Sequence, residues 1–292
     1  FKKEKLKKLK QYSEFNLIGM GGSILGAEAI YDFLNHKIKK KFFFLNNLQN
    51  RKILKSKNKR LNLIISKSGN TLETNSNLNL ILTKQNKNHN LIITENKKNI
   101  LSKISHKLKA DIIEHKNYIG GRYSVLSEVG MLPAELMGLK HYKFKQYDSL
   151  IKNKKFINSL VNNVSSTIFL LKKKKFNSII LNYDENSSDL FFWYQQLIAE
   201  SLGKKGKGFL PVISNMPKDN HSLMQFYLDG VKNNFYTLFF VKDKNSKKIN
   251  NSRVLQTHEY LKNKNFNDIA YSQFLATTNV FKKKKIPFRC FV

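Results

Sequence analysis

Cysteine, tryptophan and proline are scarce in this 292-residue chain, which has one, one and four of them. A single cysteine, Cys290, leaves no internal disulfide to form and suits a reducing compartment, so a cytoplasmic protein is expected. No run of about 18 apolar residues is present, so no segment should span a bilayer. Phe1 is followed by lysines and isolated leucines rather than by the apolar stretch of a secretory signal. The seven histidines stand singly, with no His-Glu-x-x-His or Cys/His cluster, so no metal site is indicated. Acidic residues are few as well: 20 against 53 lysines and arginines, a formal charge of +33. Such a charge invites a nucleic-acid reading. Against it, the basic residues are spread along the chain, and no RNA-recognition or helix-turn-helix signature is evident. Lys, Asn, Ile and Phe are enriched together, as AT-rich coding produces. Lysine runs such as 172–175 and 282–285 read as solvated surface. A positive field would still draw in an anionic substrate. Apolar residues make up 41% of the chain, enough for a core, and the length allows one large domain or two ordinary ones.

Residues 15 to 140 alternate short apolar runs with amphipathic stretches. Strands are expected at 15–18, 41–45, 61–66, 90–94 and 111–114, and helices at 24–35, 72–83 and 127–137. That alternation predicts an α/β fold with a parallel sheet flanked by helices. Residues 141–175 are polar and rich in Lys and Asn, with a helical stretch near 156–171 that reads as a connection. The pattern then restarts, with strands at 176–183, 208–214 and 235–241 and helices at 188–202 and 221–230. This is a second α/β domain, inside which the chain is expected to stop.

Two loops in the first domain follow a strand and open a helix: Ile18-Gly19-Met20-Gly21-Gly22-Ser23 and Ser66-Lys67-Ser68-Gly69-Asn70-Thr71. Backbone N–H groups and hydroxyls in such loops approach a ligand closely, and the helix start behind them favours an anion. The first loop is not a dinucleotide fingerprint, because Ile24 stands where the third glycine belongs. Nor is it an ATP-type loop, since Ala27 follows Gly26. It reads equally as a structural turn. The second loop offers the hydroxyls of Ser66, Ser68 and Thr71 with the Lys67 charge, and Thr71 or Asn70 also suits an N-cap. Together they suggest a grip on a small phosphorylated molecule.

Three further residues could do chemistry. Glu200 falls in the last turn of the 188–202 helix, which Ser187 or Ser188 can cap and Gly203 ends. It is a candidate general base or an exposed partner of Lys204 or Lys205. Pro217-Lys218-Asp219-Asn220 reads as a helix start that places His221 in a first turn, as a proton relay or as a surface cap. Gly120-Gly121-Arg122-Tyr123-Ser124 permits close backbone approach, and Arg122 supplies a fixed charge for a developing oxyanion or for surface carboxylates.

Five motifs, taken in order, resemble the glucose-6-phosphate isomerase family. They are Gly19-Met20-Gly21-Gly22-Ser23, residues 66–74, Gly120-Gly121-Arg122-Tyr123-Ser124, Glu200-Ser201-Leu202-Gly203-Lys204 and Asn220-His221-Ser222. The resemblance implies two sugar-isomerase α/β domains, at 1–140 and 176–292, joined by a helical segment at 141–175. It implies interconversion of glucose 6-phosphate and fructose 6-phosphate through ring opening and a cis-enediol, without cofactor or metal. Ser66, Lys67, Ser68 and Thr71 would hold the phosphate, and Gly22 and Ser23 the sugar. Glu200 would move the proton, Arg122 would stabilise the enediolate, and His221, supplied in this family by the neighbouring subunit, would open the ring. A homodimer is therefore implied. The family's C-terminal lysine has no counterpart after Phe281, and no Met precedes Phe1, so a chain cut at both ends is expected. The alternatives are a bifunctional glucose/mannose-6-phosphate isomerase and a non-catalytic phosphosugar-binding protein.

Overall fold

A computed structural model describes residues 3–48, 59–82, 89–250 and 258–292. The chain divides into two compact units, Phe1–Lys152 with Phe192–Leu197, and Asn153–Phe191 with Ile198–Val292. Among the described residues no helix is long and apolar enough to cross a membrane.

The first unit runs α1 (Lys3–Leu9), β1 (Glu14–Ile18), α2 (Leu25–Phe33), β2 (Lys41–Leu45), β3 (Arg60–Ile65), α3 (Leu72–Ile81), β4 (His89–Thr94), α4 (Ile100–Leu108), β5 (Asp111–Glu114), α5 (Glu128–Leu136) and α6 (Asp148–Ile151). Thr83, the expected end of α3, lies outside the described residues. All strand pairs are parallel, in the order β2-β1-β3-β4-β5. β1 and β3 are buried along their whole length, which explains their nearly unbroken apolar runs. On one face Phe15, Leu17, Leu63 and Ile93 pack on Ala27 and Ile30 of α2 and on Met131 and Leu132 of α5. On the other, Ile18, Ile64 and Ile92 pack on Leu78 and Ile81 of α3 and Leu101 of α4.

That second face turns polar toward the amino ends of the strands. Asn16 Nδ2 donates to Asn62 Oδ1 at 2.7 Å, and Asn62 Nδ2 donates to Asn90 Oδ1 at 2.8 Å. One row further, Arg60 Nε donates to Glu14 at 2.9 Å, and its guanidinium lies over the Phe43 ring. Asn16 and Asn62 are buried and in register, so each amide finds its partner in the neighbouring strand rather than in water.

Glu135, near the end of α5, gathers its surroundings. It accepts from Lys10 Nζ at 2.5 Å, from the His141 main-chain N–H at 3.0 Å and from His141 Nδ1 at 2.7 Å. Burial pushes its carboxyl up, but the His141 N–H, the Lys10 ammonium and the His141 ring outweigh burial and hold it at about 2. A carboxyl depressed from 4.5 to about 2 stabilises the fold above pH 4.5 and loses that contribution as the pH falls toward 2. We expect Glu135→Gln to cost on the order of 1–2 kcal/mol at neutral pH. The gap between variant and parent in denaturant midpoint should narrow progressively below pH 4.5. A gap that stays constant down to the acid limit would mean that the charge contributes nothing.

The second unit runs α7 (Lys154–Lys172), β6 (Asn177–Asn182), the two ends of α8 (Ser188–Leu202, of which Phe192–Leu197 group with the first unit), β7 (Leu210–Asn215), α9 (Met224–Asp229), β8 (Asn234–Phe239), α10 (Phe266–Lys283) and β9 (Phe288–Phe291). Its sheet is parallel in the order β7-β6-β8-β9. Leu181, Tyr236 and Leu238 pack against Tyr227 of α9 and Phe274 and Phe281 of α10. The parallel α/β class expected from the sequence is therefore present in both units.

Three local expectations are corrected. No side chain caps α8; the Ser187 hydroxyl donates to Asp184 instead. Thr71 occupies the N-cap position of α3 without a capping bond from its side chain. Residues 221–230 are not one helix: a 3-10 turn spans Lys218–Asn220, His221 follows it, and α9 begins only at Met224. Asp219 is the reason. Its carboxylate accepts from Ser214 Oγ, from the Asn215 N–H and from Ser222 Oγ, which ties the segment back to the end of β7.

Candidate active site

In the first sheet β2 lies on one side of β1 and β3 on the other, so the direction of winding reverses between β1 and β3. The carboxyl ends of such a strand pair diverge and leave a crevice where ligands bind in open α/β sheets. The glycine-rich loop leaves β1 there, and the serine-rich loop leaves β3.

The serine-rich loop is braced from within. Ser66 is buried, its hydroxyl 2.9 Å from that of Thr71, and it accepts from the Gly69 N–H at 3.1 Å. Ser68 is exposed and accepts from the Asn70 N–H at 3.2 Å. Gly69 has φ +69°, and a Cβ there would come within 2.2 Å of the Asn99 side chain, so no other residue fits. Thr71 faces Ser66 rather than capping α3, so no side-chain cap takes the N–H groups of the first turn of that helix. Those donors and the positive end of the helix dipole suit a phosphate. The Lys67 ammonium is engaged elsewhere, donating to the carbonyls of Asn117 at 2.8 Å and Ile119 at 2.9 Å.

Gly22 and Ser23 close a 3-10 turn directly after β1. A Cβ on Gly22 would stand 2.3 Å from the Gly121 carbonyl oxygen, so the two glycine loops touch backbone to backbone. Ser124 Oγ, buried, locks the contact with a 2.7 Å bond to Gly121 O and a longer one to Gly22 O. Arg122 is half-buried between them, its guanidinium 4.6 Å from the centre of the Tyr123 ring. At that distance the ring attracts the cation and helps to hold the guanidinium in place. The first unit thus brings together Gly22, Ser23, Ser66, Ser68, Thr71 and Arg122 at the carboxyl-terminal end of its sheet.

One residue absent from the sequence expectations joins this group. Gln196, which clusters with the first unit, has its amide nitrogen 2.8 Å from where a Cβ on Gly21 would stand. Its carbonyl oxygen is buried without a hydrogen-bond partner. Its signal in the sequence was its spacing, four residues before Glu200 and hence on the same helical face.

Glu200 and His221 belong to the second unit. Glu200 is exposed in the last turn of α8, and His221 is exposed after the 3-10 turn that follows β7. Among the described residues no group of three or more His, Cys, Asp or Glu side chains could hold a metal ion.

Comparison with known proteins places these residues in a family. The family model for phosphoglucose isomerase matches residues 5–279. The glucose-6-phosphate isomerase of Methanocaldococcus jannaschii is 34% identical over 253 residues, covering 82% of this chain and 63% of that protein. The one from Mycoplasmopsis pulmonis is 32% identical over 294 residues, covering 91% and 68%. The chain thus spans about two thirds of the length of these curated relatives. Among solved structures, a hypothetical protein from Thermus thermophilus shares the fold with TM-score 0.80 at 23% identity, over 98% of this chain and 75% of that one. A glucose-6-phosphate isomerase from Chlamydia trachomatis shares it with TM-score 0.68 at 17% identity, over 95% and 57%. With a family model matched along nearly its whole length, this chain belongs to the phosphoglucose isomerase family.

Proposed function

We propose that the protein is an aldose–ketose isomerase that interconverts glucose 6-phosphate and fructose 6-phosphate by ring opening and cis-enediol proton transfer. One observation carries the reading: the start of α3, where Thr71 makes no capping bond, and the glycine-rich loop both follow the carboxyl ends of the adjacent strands β3 and β1, between which the winding of the sheet reverses. An anion site and a backbone-lined sugar site then share one crevice. The phosphate sits on the start of α3 with Ser68 and Thr71, held in shape by Ser66. The sugar lies on Gly22 and Ser23. Glu200 is the base that moves the proton between the second and first carbons. Arg122 neutralises the enediolate oxygen, and His221 handles the ring oxygen during opening, in a homodimer. No step in this scheme calls on a cofactor.

The reading is tested by incubating the purified protein with fructose 6-phosphate and coupling glucose 6-phosphate formation to a dehydrogenase. Turnover above a heat-inactivated control is expected; its absence together with tight phosphosugar binding would favour a sensor. Ser68→Ala and Thr71→Ala should each weaken phosphosugar binding by about 1–3 kcal/mol, as the loss of a hydroxyl partner to a charged group does. Titration calorimetry that returned parental affinity for both variants would remove the loop from the phosphate site.

A further inference from the structure

Lys67 sits in the middle of the serine-rich loop, and its side chain reaches from there to the loop that follows β5. An ammonium has three N–H donors. Two of them go to the carbonyls of Asn117 and Ile119, at 2.8 and 2.9 Å. The remaining side faces the Glu95 carboxylate at 3.6 Å. The Lys67 main chain is engaged as well, its carbonyl accepting from the Glu95 N–H at 3.1 Å and from Thr94 Oγ1 at 3.3 Å. One residue therefore joins the loops that follow β3, β4 and β5. The third of these runs from Asn117 through Ile119 into Gly120-Gly121-Arg122, and Gly121 in turn abuts Gly22. A main-chain carbonyl pair accepting from a charged donor is a strong tether, because charge-assisted bonds are about twice as strong as neutral ones.

We propose that Lys67 is a positioning residue: it fastens the segment that carries Arg122 to the phosphate loop, and it does not itself bind the phosphate. The two substrate ends, phosphate and reacting carbons, are then registered against one another through a lysine that touches neither. The proposal rests on the isomerase reading for its kinetic consequence, but the tether itself does not.

Lys67→Met keeps the length of the side chain and removes its donors. With fructose 6-phosphate, kcat should fall roughly 10- to 100-fold, the penalty of a displaced catalytic group. KM and the inhibition constant for inorganic phosphate should move by less than about twofold, since the phosphate contacts stay. A variant with parental kcat but with KM and the phosphate constant raised about tenfold would make Lys67 a phosphate ligand and overturn the proposal. Unchanged kcat and KM would overturn it too. Hydrogen exchange of the unmutated protein gives a test that does not depend on the variant folding. Inorganic phosphate should slow exchange of amides at 66–72 and also at 116–121. Protection confined to 66–72 would refute the tether. Linked protection in a protein that fails to isomerise fructose 6-phosphate would instead keep the tether and reject the isomerase reading.

Discussion

Glu200→Gln is expected to abolish proton transfer while leaving phosphosugar binding almost intact. The amide has the shape of the acid and no basic oxygen for the sugar's carbon-bound proton. Removing a positioned general base typically costs about 100- to 10,000-fold. Binding should survive because the phosphate and sugar contacts proposed above lie on other elements, at the starts of α2 and α3 and on the Gly120–Arg122 loop. Incorporation of solvent deuterium at the first carbon of fructose 6-phosphate, or at the second carbon of the glucose 6-phosphate formed, reports the step directly. A variant that takes up deuterium there at the parental rate would show that another group is the base. Gln196 is the informative control, because it shares the helical face but has no carboxylate. Its loss should raise KM more than it lowers the exchange rate.

Arg122→Met should be the second most damaging change. A guanidinium aimed at charge that develops only in the enediolate contributes to the transition state more than to the bound substrate. Loss of one such electrostatic partner lowers kcat by about 100- to 1000-fold. Arg122→Lys restores the charge without the planar fork that lies on the Tyr123 ring, so it should recover only part of that loss. Steady-state kinetics across parent, Lys and Met variants check this order. Equal activity of the Lys variant and the parent would mean that charge alone matters, and equal activity of all three would place the oxyanion elsewhere.

Much of the fold was legible from patterning. α8 matches its expected bounds, 188–202, because an amphipathic run is closed by Gly203. β1, β3 and β4 read as buried strands since both faces are covered and their apolar runs are nearly continuous. The elements that escaped carry weak or short signals. α10 is rich in Thr, Asn, Phe and Tyr, poor helix formers, and is organised by the Asn265/Asp268 capping box instead of by propensity. α4 has the same device at Asn99 and Ser102. β9 is four residues long and follows a lysine run, and parallel pairing to β8 makes it a strand. The position of His221 could not be read from Pro217-Lys218-Asp219, because bonds from Ser214, Asn215 and Ser222 to the Asp219 side chain compete locally with a helix start. At the site, motif spacing located the loops. It could not show that Thr71 spends its hydroxyl on Ser66, which depends on how the loop folds on itself, nor that Lys67 reaches Asn117 and Ile119, which depends on which strands end at the same height.

That common height has its own safeguard. Strands whose side chains are uniformly aliphatic can slide by two residues and still present the correct face, because the side-chain period is two. In this sheet such a slide would set Asn16 against Ile64 and leave buried amides facing hydrocarbon. The Asn16–Asn62–Asn90 row, with Glu14 and Arg60 beside it, therefore works as a vernier: only one setting matches every mark. A slip of two residues would carry the serine-rich loop about 6–7 Å past the glycine-rich loop. Three asparagines at the far end of the strands thus hold in alignment two loops that they never touch.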